Sequence, residues 1–273
     1  MSNIINISDL AVGYGKKIII NGVETAIPKG KITSIIGPNG CGKSTLIKTI
    51  GKILKRESGS ILLEGKEISK IEGKEVAKKL AFLAQITTSP EGLKIRDLVA
   101  YGRFPYQKPF SSLTDEDYKY IDWALEVTNL KHIENSKVDS LSGGQRQRVW
   151  IAMALAQGTD TIILDEPTTY LDIMHQLEVL NLLKRLNEEE DKTIIMVLHD
   201  INQAASYSHN IIAMKDGNII AEGSPKEVIT KENLKLIYGI NADIMTYRNK
   251  ITCVHCEVCD ICDSCEMCGA VEN

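Results

Sequence analysis

Cysteine is nearly missing from the body of this chain. Of the 273 residues, the first 252 hold a single cysteine, Cys41, and the other six fall in the last 21. A body so poor in cysteine fits a reducing compartment rather than a disulfide-stapled secreted domain. Long apolar runs are missing too. No stretch approaches 18 apolar residues, so no membrane-spanning helix is expected and any membrane role has to come through a partner. The start, Met1-Ser2-Asn3-Ile4-Ile5-Asn6, lacks a basic region followed by an apolar run, so no secretory leader is expected. An excess of positive charge is absent: the net charge is −4, which offers no bulk attraction to nucleic acid. With 43% hydrophobic and 25% charged residues, the chain has an ordinary globular composition and enough length to bury a sizeable core.

Against that plain background one segment stands out: Gly37-Pro38-Asn39-Gly40-Cys41-Gly42-Lys43-Ser44-Thr45. It carries the full phosphate-loop pattern of two glycines with four residues between them, followed by Lys and Ser. The glycines let the backbone curl until its N–H groups point at phosphate oxygens. Lys43 is a point positive charge for the outer phosphates, and the Ser44 hydroxyl is a ligand for Mg²⁺. An apolar strand (31–36) precedes the loop and a helix (44–53) follows, so the helix N-terminus faces the phosphates. The chain is expected to bind a nucleoside triphosphate.

Patterning then bounds the architecture. Residues 3–36 read as strands broken by turns, an N-terminal antiparallel β part. From about 158 onward strands and helices alternate, which predicts an α/β core with a mostly parallel sheet. Between the two lies a helical insert at about 86–157, read as a subdomain, with Thr114 capping one of its helices. The main domain is expected over 1–250, with a cysteine-rich acidic tail over 251–273.

The strand Thr161-Ile162-Ile163-Leu164 ends in Asp165-Glu166. In an open α/β sheet such a strand delivers its carboxylates beside the phosphate loop. Asp165 is expected to hold Mg²⁺ with Ser44, and Glu166 to act as general base on an attacking water. A second nest, Ser142-Gly143-Gly144-Gln145, opens another helix after Leu141. Two phosphate nests for one nucleotide site make sense if the second serves a neighbouring molecule.

The phosphate loop, Gln85, Leu141–Gln145, Ile162–Pro167, Leu171-Asp172 and His199-Asp200 stand in the order and approximate spacing of ATP-binding cassette ATPases, which residues 3–250 resemble. The resemblance implies a P-loop NTPase fold and a homodimer closing head to tail on two ATP. It implies an adenine-stacking role for Tyr14 and an Mg²⁺-contacting, partner-sensing role for Gln85. For Asp172 it implies a contact across the dimer, and for His199 a contact with the γ-phosphate. Three segments, Tyr101–Tyr106, Glu166–Ile173 and His199–Ala204, resemble the importer ATPases for iron chelates. That family implies two membrane permease subunits, an extracellular substrate-binding protein, and a peripheral position on the cytoplasmic face of the membrane. The ferric-siderophore branch looks nearest. Haem or cobalamin import, and a soluble cassette protein acting in DNA repair or translation, are the alternatives. Tyr101–Phe110, with four aromatics, reads either as a permease-docking surface or as a loop packed on its own subdomain.

The tail departs from the family. Cys253, Cys256, Cys259, Cys262, Cys265 and Cys268 recur at every third position, among five acidic residues and no Lys or Arg. Repeated C-x-x-C in a cytosolic chain is a thiolate-ligand signal. An iron–sulfur cluster, zinc and copper(I) are all open, as is a disordered acidic tail with no fixed ligand.

Overall fold

The computed structural model describes residues 2–15, 17–85, 90–108 and 111–258. The chain opens with β1 (Asn3–Tyr14), β2 (Lys17–Pro28), β3 (Ile32–Ile36) and α1 (Lys43–Ile50). Next come β4 (Ser58–Leu63), β5 (Lys66–Glu67), α2 (Gly73–Ala77) and β6 (Leu80–Leu83). Three helices, α3 (Ile95–Ala100), α4 (Asp115–Val127) and α5 (Gly143–Ala156), separate β6 from β7 (Thr161–Leu164). Then follow α6 (Ile173–Glu190), β8 (Thr193–Val197), α7 (Ile201–Tyr207), β9 (Asn210–Lys215) and β10 (Asn218–Gly223). The last elements are α8 (Pro225–Val228), α9 (Lys231–Tyr238), β11 (Ile240–Tyr247) and β12 (Lys250–Val258).

Among the described residues the strands form three sheets. One is antiparallel, in the order β2-β1-β4-β5; the second runs β10-β9-β3-β8-β7-β6; the third is the β11–β12 hairpin. In the second sheet β9, β3, β8, β7 and β6 are all parallel, and β10 closes the edge as an antiparallel hairpin with β9. The turn between them carries Asp216 at φ 48° and Gly217 at φ 79°, the left-handed pair that a tight hairpin needs.

The central strands are buried on both faces, which is why they read as unbroken apolar runs. Alternate residues split between two cores. Ile35, Ile163, Ile195 and Val197 face the antiparallel sheet together with Ile5, Leu10 and Leu46. Ile36, Ile162, Leu164, Ile194 and Met196 face the opposite side, where Ile121, Val149 and Trp150 of the helical insert contribute to the same core.

Within the insert, Arg103 is 2% exposed. Its Nε donates to Asp117 Oδ1 at 2.8 Å and its Nη1 to the Ala156 carbonyl at 2.9 Å. The guanidinium lies 3.9 Å from the Tyr106 ring centroid and 4.2 Å from that of Tyr120. Burial raises the Asp117 pKa, but the Thr114 backbone amide, Arg103 and the Thr114 hydroxyl outweigh it and hold the carboxyl below its usual range. Arg103 thus ties the 3₁₀ segment Tyr101–Tyr106 to α4 and α5, while Tyr101 and Phe104 stay exposed. Phe110, the fourth aromatic of that stretch, lies outside the described residues.

The C-terminal hairpin is part of the packed body. Ile244, Ile251 and Cys253 pack against the main core, and β12 lies along α7. A strand therefore begins where the acidic tail was expected to start.

Candidate active site

Adjacent parallel strands deliver the expected residues at their C-terminal ends, where open α/β sheets bind ligands. β3 leads into the phosphate loop, β7 into Asp165 and Glu166, β8 toward His199, and β6 toward Gln85. Gly37, Gly40 and Gly42 take φ values of 146°, 79° and 108°. A Cβ on Gly37 would sit 2.1 Å from the Met214 carbonyl oxygen, so nothing larger fits there. α1 starts after Gly42 without a side-chain cap, which leaves its first amides to a ligand. Lys43 is buried and folded back on its own loop, its Nζ donating to the carbonyls of Gly37 at 2.8 Å and Pro38 at 2.9 Å. Thr45 is buried and Asn39 exposed. Cys41 is buried, and burial pushes its thiol up against the opposing pull of Lys43, so it fills space here rather than presenting a thiolate.

Two hydrogen-bonded groups flank the loop. In the first, Ser44 Oγ donates to Asp165 Oδ1 at 2.9 Å. The other carboxylate oxygen, Oδ2, is buried without a hydrogen-bond partner, and the Lys48 ammonium stands 3.8 Å away. An orphaned carboxylate oxygen beside a hydroxyl is a hard-oxygen donor set that fits Mg²⁺. Burial raises the Asp165 pKa against the lowering by Ser44 and Lys48. A carboxyl whose folded pKa lies above its unfolded one costs stability once ionised, so this contribution worsens as pH rises through the carboxylate range. Asp165→Asn is therefore expected to lose Mg²⁺-dependent hydrolysis while melting no lower than wild type. A clearly lower thermal midpoint in that variant would make Asp165 a structural residue instead.

In the second group Glu166 is the hub. Gln85 Nε2 donates to its Oε2 at 2.6 Å, Thr169 Oγ1 to the same oxygen at 3.0 Å, and His199 Nε2 stands 2.8 Å from Oε1. Glu166 adopts φ 54°, a left-handed conformation costing a non-glycine residue about 1–2 kcal/mol, and such strain gathers at functional sites. The Gln85 amide is turned toward Glu166 and is its hydrogen-bond partner in this structure.

Three expected features stand apart from this cluster. Ser142, Gly143, Gly144 and Gln145 open α5 as a capping box: Ser142 Oγ accepts from the Gln145 amide at 3.3 Å and Gln145 Oε1 from the Ser142 amide at 3.1 Å. Asp172 caps α6, accepting from the His175 amide at 2.9 Å, with His175 Nδ1 at 2.7 Å. The two His175 bonds, the backbone one first, hold its carboxyl low. Tyr14 is 53% exposed at the end of β1. Around the Asp172 cap, Tyr170, Ile173 and Met174 are 90%, 76% and 65% exposed, an apolar face on one side of the molecule.

Two residues escaped sequence reading. The His175 ring packs so tightly on Gly144 that a Cβ there would lie 2.2 Å from it. Tyr238, at the end of α9, buries its hydroxyl beside the Gly37 backbone, and burial pushes its pKa up. Neither has a motif; each is brought in by packing across the fold. In the tail, Cys253 and Cys256 place their sulfurs 3.0 Å apart, and burial, then the neighbouring sulfur, pushes Cys253 up to about 11. Cys259, Cys262, Cys265 and Cys268 lie outside the described residues.

The sequence matches the ABC transporter family over residues 20–169. The iron(3+)-hydroxamate import ATP-binding protein FhuC of Bacillus subtilis (strain 168) is 51% identical over 254 residues, 92% of this chain and 94% of the relative. The ferric enterobactin transport ATP-binding protein FepC of Escherichia coli (strain K12) is 45% identical, with 86% of this chain and 87% of the relative covered. Among solved structures, the cassette MJ0796 in a dimeric post-hydrolysis state bound to ADP and Pi superposes with a TM-score of 0.70. It is 31% identical, with 81% of this chain and 98% of that chain covered.

Proposed function

The chain belongs to the ABC transporter family of ATPases, and from that premise we propose that it is the subunit whose ATP hydrolysis powers import of a ferric siderophore through a membrane permease. One observation carries the reading: 51% and 45% identity, over 92% and 86% of this chain, with ATP-binding proteins for iron(3+)-hydroxamate and ferric enterobactin transport. Among the described residues no helix is long and apolar enough to cross a membrane. Attachment at the cytoplasmic face would therefore run through two permease subunits, with a substrate-binding protein delivering the chelate outside. The exposed Tyr101 and Phe104, anchored from below by Arg103, support the insert as the docking surface.

The site geometry supports these roles. The phosphate-loop amides and Lys43 bind the triphosphate, and Lys43 exchanges the Gly37 and Pro38 carbonyls for phosphate oxygens. Ser44 and Asp165 would hold Mg²⁺, which supplies charge neutralisation on the phosphates. Glu166, released from Gln85 and His199 as the γ-phosphate and water enter, takes the proton of the attacking water. The exposed apolar face at Tyr170, Ile173 and Met174, and the outward nest at Ser142–Gln145, support a homodimer in which each signature nest completes the partner's site. Contacts made only in the closed, ATP-bound dimer shift the population to that state, and loss of the γ-phosphate reopens it.

A host from which this chain is deleted is expected to lose uptake of radiolabelled ferric siderophore and to regain it with the wild-type chain. Intact siderophore uptake with lost haem or cobalamin uptake would select those chelates instead. Intact uptake of all three would overturn the importer reading.

A further inference from the structure

The tail cysteines recur with a period of three, and a regular strand puts residues three apart on opposite faces. β12 breaks that rule. Ile244 pairs with Cys253 and Asp243 with His255, so Val254 is an extra residue, a β-bulge. The bulge shifts the strand's phase by one position. Cys253 and Cys256 come to the same face with their sulfurs 3.0 Å apart, while His255 joins Glu257, its Nε2 3.1 Å from Oε1.

The bulge is held from outside the hairpin. The Asn202 side chain on α7 donates to the Cys253 carbonyl at 2.9 Å and accepts from the Cys253 amide at 2.8 Å, as one residue of a neighbouring strand would. Lys250 Nζ donates to the Ser206 carbonyl at 3.1 Å and fixes the start of the same strand on the same helix. Cys253 is half-buried against the main core, and Cys256 is exposed. Two sulfurs 3.0 Å apart are too close to flank a metal ion at ordinary metal–sulfur lengths, so the exposed Cys256 has to turn outward from the anchored Cys253 to open a site.

The geometry points to Cys253 and Cys256 as a two-thiolate site for a soft monovalent d¹⁰ cation, Cu(I). Sulfur ligands select soft cations. Zn²⁺ takes four protein ligands in structural sites, and among the described residues no third Cys, His, Asp or Glu joins this pair as a metal-binding group. On binding, each thiol releases a proton, two Cu–S bonds form, and neither copper nor sulfur changes oxidation state. The site is independent of the importer reading, although Asn202 lies three residues after His199.

The test uses the full chain, purified without oxygen in a phosphine reductant, with Cu(I) partitioned against a chromophoric Cu(I) chelator. In the variant C259S/C262S/C265S/C268S one Cu(I) per chain is expected to remain bound, and no Zn²⁺. Adding Cys256→Ser, an exposed position that spares the fold, is expected to weaken Cu(I) binding by at least about 100-fold. Three results would each overturn the site: no copper retained by the four-serine variant, unchanged affinity after Cys256→Ser, or zinc retained in preference to copper. A Cys253–Cys256 disulfide that forms under these reducing conditions and excludes copper would do the same.

Discussion

Glu166→Gln is expected to slow ATP turnover by about 10²–10⁴-fold, the usual worth of a positioned general base, while leaving ATP binding intact. The hydrogen bonds around Glu166 say why the variant should fold. Gln85 and Thr169 both donate to Oε2, and His199 faces Oε1. A glutamine keeps its carbonyl oxygen toward the two donors and turns its NH₂ to His199, whose Nε2 then accepts. The packing and the left-handed backbone at φ 54° are unchanged, but the proton acceptor is gone. ATP-loaded dimer should then accumulate, visible as a shift to dimer in size-exclusion chromatography with ATP and a flat single-turnover trace. Turnover within tenfold of wild type would remove Glu166 from the role of base.

Much of this site was legible because its residues follow apolar strands. β7 runs Thr161–Leu164, the strand that its apolar run predicts, and α6 runs Ile173–Glu190. Asp172 caps α6 as a short acidic side chain before an apolar periodic run would. The helix after the second nest begins at Gly143 because Ser142 is its cap. What could not be read was pairing across the fold. Gln85 and Glu166 meet over 81 positions of chain, and no local pattern encodes that. Arg103 reads as a surface charge until two tyrosines and Asp117 enclose it. β12 is the sharpest case: its sequence of cysteines and acids has little strand pattern of its own. It becomes a strand because β11 pairs with it and Asn202 grips its outer edge, so tertiary context decides where local preference is weak.

Lys43→Ala is expected to lower kcat/KM for ATP by about 10²–10³-fold, the scale seen when one preorganised donor to developing charge is removed. Its mechanism differs from that of Glu166→Gln, and the structure shows how. Lys43 is 5% exposed and holds the phosphate loop together by bonding the Gly37 and Pro38 carbonyls. With alanine there, the loop loses both the charge that meets the triphosphate and the clamp that shapes it. Losing hydrogen bonds from a charged donor costs about 1.5–3 kcal/mol each before any ligand is added. The variant should therefore melt lower in the absence of nucleotide. It should also fail to gain the stabilisation of about 2.7 kcal/mol that a ligand at 100 times its Kd confers. Lys43→Arg should not rescue it, because a planar fork cannot occupy the buried space of a single ammonium between two carbonyls. A thermal shift with and without ATP separates the variants. Glu166→Gln keeps the full ATP-induced shift and loses turnover; Lys43→Ala loses the shift. A Lys43→Ala protein stabilised by ATP as strongly as wild type would mean that the backbone nest alone carries binding, and that Lys43 acts only on the chemical step.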